Sequence, residues 1–210
     1  MEHGDDKGLV LPPRAAPVQI VIVPIIFSSG KSEEVLSKCK LIEQSLTQGG
    51  LRTILDSRQN YTPGWKFNEW EMRGIPLRIE IGPRDIAKNS AIIVRRDTGE
   101  KTSVSISDLV ESSTRTLEQI QENLWSIASK RLKEQTYTVN SYDELKDIIE
   151  NKGGFVRAGW CKLGECELKV KQDTGADIRV IPFENKVDSS SKCVICGKNA
   201  RAIVYFARAY

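Results

Sequence analysis

Four cysteines near the C-terminal end of the chain fall into two close pairs, Cys161-x4-Cys166 and Cys193-x2-Cys196-Gly197, with 26 residues between the pairs. Thiolates are soft ligands, and four of them in a tetrahedron with bonds near 2.3 Å are the donor set that zinc prefers in structural sites. A Cys-x2-Cys turn aims both sulfurs at one centre, and Gly197 allows the tight backbone such a turn needs. The first pair is more widely spaced, but Gly164 within it can form a second knuckle. With all four positions filled by protein, no open position remains for a catalytic water, so the expected role is structural. The competing readings are a neutral, buried core pair of cysteines and a redox pair. The fifth cysteine, Cys39, lies on the apolar stripe of a helix and reads as a packed core residue.

A second constellation runs from Arg58 to Asp85, where Tyr61, Trp65, Phe67 and Trp70 alternate with Lys66, Arg73, Arg78 and Arg84. Unstacked bases need a π-surface, donors for guanine O6 and N7, and neutralisation of nearby phosphates. Aromatics interleaved with cations supply these, and a carboxylate such as Glu71 or Asp85 can accept from a guanine's Watson–Crick edge. The plainer alternative is that Phe67 and Trp70 hold a short helix on a sheet while the charges form a solvated face. Gly82-Pro83-Arg84-Asp85 is a turn at the carboxyl end of a strand, where α/β sheets tend to place ligands. The sequence has neither a Walker loop nor a Gly-x-Gly-x-x-Gly run. His3 is its only histidine and lies near the start, so histidine general-base chemistry within the folded body is excluded.

The elements that must position these groups follow from periodicity. Gln19 to Phe27 is a nearly all-apolar, β-branched run, predicted to be a strand buried on both faces. Pro24 within it marks an edge or the strand's end. Ser32 to Gln48 reads as a helix with Val35, Cys39, Ile42 and Leu46 on one stripe, ended by Gly49-Gly50. Leu51 to Leu55 is a short strand, and Asn60 to Gly64 a turn leading into a helix from Trp65 to Arg73. Pro76 to Gly82 alternates, with Leu77, Ile79 and Ile81 inward and Arg78 and Glu80 outward, as in a half-buried strand. Ala91 to Arg95 and Lys101 to Ile106 flank Asp97-Thr98-Gly99-Glu100 as a hairpin. This order gives an α/β domain of about 100 residues on a five-stranded sheet with flanking helices. Asp108 to Lys133 then reads as a long amphipathic helix with a stripe of Leu117, Ile120, Leu124 and Ile127. Ser141 and Glu144 form a capping box for a helix to Glu150. Phe155 to Trp160 is a strand entering the cysteine module. That module, about 70 residues long, has a thin core and gains most from a metal staple.

Lys plus Arg number 31 against 28 Asp plus Glu, a net charge of +3, which is too mild to mark a nucleic-acid binder by charge alone. No apolar run approaches the length of a membrane-spanning helix. The acidic, polar start is not a signal peptide, and it resembles the torn edge of another domain. Paired cysteines without an export signal point to a reducing, cytoplasmic setting.

The residues match a known pattern. His3-Gly4-Asp5-Asp6-Lys7-Gly8-Leu9-Val10-Leu11-Pro12-Pro13-Arg14, Pro63-Gly64-Trp65-Lys66-Phe67-Asn68-Glu69-Trp70-Glu71, Gly82-Pro83-Arg84-Asp85, the four cysteines and Tyr210 together are highly specific. On them the chain resembles, over essentially its whole length, the C-terminal half of a prolyl-tRNA synthetase of the archaeal/eukaryotic type, a class II aminoacyl-tRNA synthetase. The resemblance implies four parts: 1–16 as the tail of the catalytic domain with its third signature motif, 17–118 as a mixed α/β anticodon-binding domain, 119–136 as a helical linker, and 137–210 as a small α+β zinc-binding domain. It implies ATP binding through His3, Gly8 and Arg14. It implies anticodon contacts from Lys66, Glu71, Arg84 and Asp85, with Trp65 and Phe67 stacking or shaping. Structural zinc would sit on Cys161, Cys166, Cys193 and Cys196, and Tyr210 would help order the active site. The whole enzyme would use ATP and Mg2+ to join L-proline to proline tRNA through prolyl-adenylate, as a homodimer. This chain, with most of the catalytic domain missing, would be inactive by itself and is expected to be monomeric. The alternative is a non-catalytic tRNA- or RNA-binding module with a structural zinc domain.

Overall fold

The computed structural model describes residues 3–26, 32–184 and 186–209. Phe27, at the end of the expected first strand, and Tyr210 lie outside them. The chain divides into two compact units, Met1–Ala128 and Ser129–Tyr210.

The first unit opens with a small hairpin, β1 (Gly4–Asp5) and β2 (Gly8–Leu9). There follow β3 (Ile20–Pro24), α1 (Ser32–Gln48), β4 (Thr53–Leu55), α2 (Pro63–Met72), β5 (Leu77–Ile81), α3 (Pro83–Ala87), β6 (Ser90–Arg95) and β7 (Lys101–Ser105). The long helix α4 (Leu109–Glu134) contains the boundary between the units. Five strands form one sheet in the order β4-β3-β5-β6-β7. β3 pairs in parallel with β4 and β5, and β5, β6 and β7 are antiparallel, so the sheet is mixed as expected. All five residues of β3 are buried. Ile20 and Ile22 pack with the α1 stripe, while Val21 and Val23 meet Trp70 and Ile75 from the α2 side. Each such side chain contributes roughly 1.5–3 kcal/mol on burial, and the two faces together fix the strand's register. Pro24 is the last residue of β3, where its missing N–H costs little.

Three expectations for this unit need correction. β5 is not half-buried. Leu77, Ile79 and Ile81 are buried as expected, but Glu80 is buried too and Arg78 is partly so. α2 lies over that face, and the charges survive because they pair: Arg78 Nη2 lies 3.0 Å and Lys101 Nζ 3.3 Å from Glu80 Oε1. The segment Gly82 to Asp85 is also not an open turn. It starts α3, with the Asp85 carboxylate accepting from the Gly82 N–H at 2.8 Å. α2 begins two residues earlier than the apolar pattern indicates. Pro63 stands at its first turn, and the Thr62 hydroxyl caps it by accepting from the Trp65 N–H. It stops at Gly74 (φ +74°), where a Cβ would lie 2.7 Å from the Leu9 carbonyl carbon.

The second unit contains β8 (Thr136–Thr138), α5 (Tyr142–Asp147), β9 (Phe155–Trp160), α6 (Gly164–Thr174), β10 (Ala176–Val180) and β11 (Ala202–Arg208). Its sheet runs β10-β11-β9-β8, with β8 and β9 parallel and the other pairs antiparallel. Val156, Ala158, Val204 and Phe206 pack beneath Leu145, Ile149 and Val170. Ser141 caps α5 by accepting from the Glu144 N–H at 3.3 Å. α5 ends at Asp147 and continues as a π-helical turn, Ile148–Lys152, rather than as α-helix to Glu150.

Candidate nucleic-acid interface and metal centre

Asp56 follows β4, and its carboxylate is wholly buried. Oδ1 accepts from Arg58 Nε at 2.9 Å, and Oδ2 accepts from Arg58 Nη2 at 2.7 Å and from Trp70 Nε1 at 2.8 Å. The Lys66 ammonium lies 3.5 Å from Oδ1 and donates to the Asp56 carbonyl at 2.9 Å. Burial alone would raise the Asp56 pKa. The hydrogen bonds from Arg58 and Trp70 and the charge of Lys66 outweigh it and hold the carboxyl well below the usual range. Through this one group the first and second turns of α2 are tied to the end of β4. Lys66, expected as an anticodon contact, is therefore a buried residue (4% exposed) with its charge spent inside the protein.

The neighbours of Lys66 on α2 point to opposite flanks. On one flank, Trp65 stacks on Tyr61 with centroids 3.9 Å apart and planes 13° from parallel. Arg58 stands beside that stack and also pairs with Glu69. On the other flank, the Phe67 ring carries the Arg78 guanidinium 4.4 Å above its centroid, with Lys101 Nζ at 6.0 Å. Register explains this meeting: Arg78 pairs with Val94 and Val94 with Lys101, so the three form one row across β5, β6 and β7. Beside the row opens a cavity of about 180 Å³ lined by Glu71, Arg78, Arg95, Arg96 and Lys101. Arg95 is paired with the buried Asp97 at 2.8 Å. Arg96 donates to the Glu71 carbonyl at 2.9 Å and to both Asp5 oxygens at 2.8 and 2.6 Å. The Arg96 bonds hold the Asp5 carboxyl well below its usual pKa. The Glu71 carboxylate meets the exposed Lys7, at 3.2 Å.

The expected RNA residues thus do not form one patch. Phe67 and Glu71 share the cationic flank, Trp65 faces the other, and Lys66 is internal. Arg84 is exposed on α3, while Asp85 caps that helix. Sequence reasoning missed Lys101, Arg95 and Arg96, whose proximity depends on hairpin register; the alternation of Arg78 with apolar neighbours was the available signal. Of the residues implied for ATP, His3 and Arg14 are exposed, and Gly8 (φ +130°) packs so closely on Met72 that a Cβ would come within 2.5 Å of its backbone.

In the second unit, the four cysteine sulfurs all lie within 4.8 Å of one another. Cys161 Sγ is 3.6 Å from Cys166 Sγ and 3.7 Å from Cys196 Sγ. A tetrahedron with bonds near 2.3 Å has edges of about 3.8 Å, whereas a disulfide needs about 2.05 Å, so the donor set fits zinc and excludes a bridge. Cys161 follows β9, and Cys166 sits in the first turn of α6. The knuckle between them is turned by Lys162 (φ +66°), not by Gly164, which opens α6 instead. At the other pair Gly197 does adopt positive φ (+69°), and its N–H donates to the Cys193 carbonyl at 2.9 Å. Gly159 of β9 lets this loop approach: its carbonyl accepts from the Val194 N–H at 3.0 Å, and a Cβ would sit 2.2 Å from the Lys192 oxygen. Burial raises the Cys166 and Cys193 pKa values. The Lys198 N–H lowers that of exposed Cys196 to about 7.

Both units match known protein families. Residues 19–114 match the anticodon binding domain family, which sets the first unit among anticodon-binding proteins. Residues 142–210 match the family described as prolyl-tRNA synthetase, C-terminal. Over these residues the chain carries the anticodon-binding and C-terminal domains of the prolyl-tRNA synthetase family. It is 50% identical over 210 residues to a proline–tRNA ligase of Alkaliphilus oremlandii (strain OhILAs), covering 100% of this chain and 43% of the relative. It is 45% identical to proline–tRNA ligase 2 of Clostridioides difficile (strain 630) and 44% identical to a proline–tRNA ligase of Cenarchaeum symbiosum (strain A), with the same coverage. The chain therefore spans less than half the length of these curated relatives.

Replacing Asp56 with alanine strands the buried Lys66 charge, and breaking such a pair costs about 3 kcal/mol. Urea titration of Asp56→Ala at pH 7 should show that loss. Because the folded pKa is depressed, the stabilisation is present above the unfolded value near 4 and fades as pH falls below it. The gap between wild type and variant should therefore shrink below about pH 4.

Proposed function

We propose that the first unit reads the guanines of a proline tRNA anticodon, and that the cysteine cluster holds one structural zinc. Both serve the joining of L-proline to that tRNA by the whole protein. The observation that carries the reading is the cationic cavity beside Phe67, where a π-face, guanidinium donors and the weakly engaged Glu71 carboxylate stand together. Glu71 would exchange Lys7 for the N1 and N2 donors of a guanine. Phe67 would stack a base and Arg78 and Lys101 would meet phosphate or base edges. Exposed Arg84 would donate to O6 and N7, with Asp85 holding the α3 turn in place. Lys66 acts through Asp56 by fixing α2, and Trp65 lies apart from this set.

Zinc supplies no reaction here, since four thiolates complete its coordination; its work is to join the end of β9, the start of α6 and the loop that carries Cys193 and Cys196. ATP with Mg2+, prolyl-adenylate formation, a homodimer, the ATP contacts of His3, Gly8 and Arg14 and the ordering role of Tyr210 belong to the whole protein and are supported by the resemblance. Among the described residues no helix is long and apolar enough to cross a membrane, and four unbridged thiols fit a reducing, cytoplasmic setting.

Filter binding should show proline tRNA held more tightly than a transcript with its anticodon guanines replaced; equal affinities would sink the anticodon assignment. Arg84→Ala should weaken binding of the guanine-bearing tRNA by about 1–3 kcal/mol and leave the replaced transcript's affinity unchanged. Elemental analysis should find one zinc per chain. Cys193→Ser should lower that content and the melting temperature together, and well under one equivalent in the wild-type chain would overturn the metal assignment.

A further inference from the structure

The Tyr61–Trp65 stack is not used by the guanine site, and it is not core. After stacking on each other, Tyr61 remains 44% and Trp65 43% exposed. Arg58 lies 5.1 Å from one centroid and 5.3 Å from the other, so it stands at the edge of the column and leaves the outer ring faces uncovered. Its guanidinium is engaged by Asp56 and Glu69, which neutralise it and fix its plane. Tyr61 and Arg58 also border a cavity of about 220 Å³ whose wall includes Ser57, Gln59 and Lys66. Trp65 and Phe67 are two residues apart on α2, roughly 3 Å along the axis and on opposite sides of the helix. A single strand that places a base against Phe67 and crosses the start of α2 therefore meets Tyr61.

We infer that the Tyr61–Trp65 column is a second base-stacking platform, on which an unpaired nucleobase of the same anticodon loop, outside the guanines read at Phe67, forms a third layer over Tyr61. This rests on the reading of the first unit as an anticodon binder. The platform is rigid because Asp56 and Glu69 hold its edge and Thr62 caps the turn beneath it. It presents π-surface without free positive charge, and every base has a π-face, so its contribution is independent of base identity. For the same reason it releases few counterions.

These properties give a signature that a guanine contact and a phosphate contact both lack. Affinities would be measured for wild type, Tyr61→Leu, Tyr61→Phe, Trp65→Leu and Trp65→Phe. The probes would be a proline tRNA transcript and one with the anticodon guanines changed to adenine, over a range of salt. The leucine variants keep an apolar side chain at the start of α2, and thermal melts would show whether they stay folded. The expected result is that both leucine variants weaken both RNAs by a common factor, about 5- to 150-fold. The phenylalanine variants should retain wild-type affinity, and the salt slope should not change. 2-Aminopurine placed in turn at the unpaired loop positions should be quenched at one non-guanine position by wild type and not by Tyr61→Leu. Wild-type affinity in the leucine variants overturns the platform, and so does a loss confined to the guanine-bearing RNA. If melts show a leucine variant to be unfolded, a phenylalanine variant that stays folded and loses affinity or the quench overturns it as well. If wild type binds both RNAs equally, the guanine reading fails while the platform stands or falls on the leucine variants.

Discussion

One buried carboxylate organises the first unit of this protein. Isolating an ionised carboxylate from water costs several kcal/mol, and Asp56 offsets that cost with bonds from Arg58, Trp70 and Lys66, each attached to a different part of the α2 region. The consequence is geometric. α2 is ten residues long and buries few of its own side chains, too short to hold its rotation by packing alone. Tied at Lys66 and Trp70, successive positions on the same face, it has one orientation. Phe67 and Glu71 then face β5 and the hairpin, and Tyr61 and Trp65 face the side of β4.

A second constraint acts from below. The row Arg78, Val94 and Lys101 exists because β5, β6 and β7 pair in one register. Glu80 is nearly buried between Arg78 and Lys101. Three charges on a covered sheet face are a poor way to stabilise a fold, since apolar residues of similar volume would do as well or better. Their arrangement is better explained as a poised electrostatic surface: one carboxylate neutralises part of two cations and keeps them upright beneath an aromatic ring. Arg96 extends the same logic by clamping the end of α2 to the N-terminal hairpin through Glu71 and Asp5. Among the described residues the carboxylate of Glu71 pairs with the solvent-exposed Lys7, an interaction that screening makes weak. It is the polar group in this cavity that a ligand can claim at least cost.

What the sequence made legible follows from how local each signal is. α1 and β3 could be read because their partners are apolar residues at fixed spacing within one element, and Cys193-x2-Cys196 because its geometry is a property of one turn. The burial of Lys66 is not legible in the sequence because its partner, Asp56, lies across a loop. The spacing to Trp70 puts it on the inward stripe, but a cation there reads as surface until the buried carboxylate is seen. The charges on β5 suggested a wet face for the same reason. In the second unit α6 escaped notice because its buried stripe is Cys166, Val170 and Thr174, one apolar aliphatic side chain among three. Glycine is the usual residue at positive φ, so the sequence points to Gly164 for this turn, whereas the strand-to-helix geometry between Cys161 and Cys166 imposes the strain on Lys162.

That strain bears on how the second unit holds together. The main core of this unit, around Val156, Val204 and Phe206, does not include the cysteines, which form a separate small cluster with Trp160 and Ile195. Between β10 and β11 the chain must cross 181–201, and the regular pairing found there among the described residues is the single bridge Lys192 to Asn199. A segment of that length held largely outside regular sheet pairing has lost much conformational entropy. Gly159 brings it against β9 and Gly197 folds it back, but each does so through a single backbone hydrogen bond, which contributes only about 1 kcal/mol. Four sulfurs at tetrahedral spacing change the balance, because metal binding free energy becomes folding free energy when the ligands converge only in the folded chain. Without a cation, desolvation raises the pKa values of the buried Cys166 and Cys193 thiols and favours their neutral form. As thiolates around one cation they account for both the left-handed Lys162 and the close approach at Gly159.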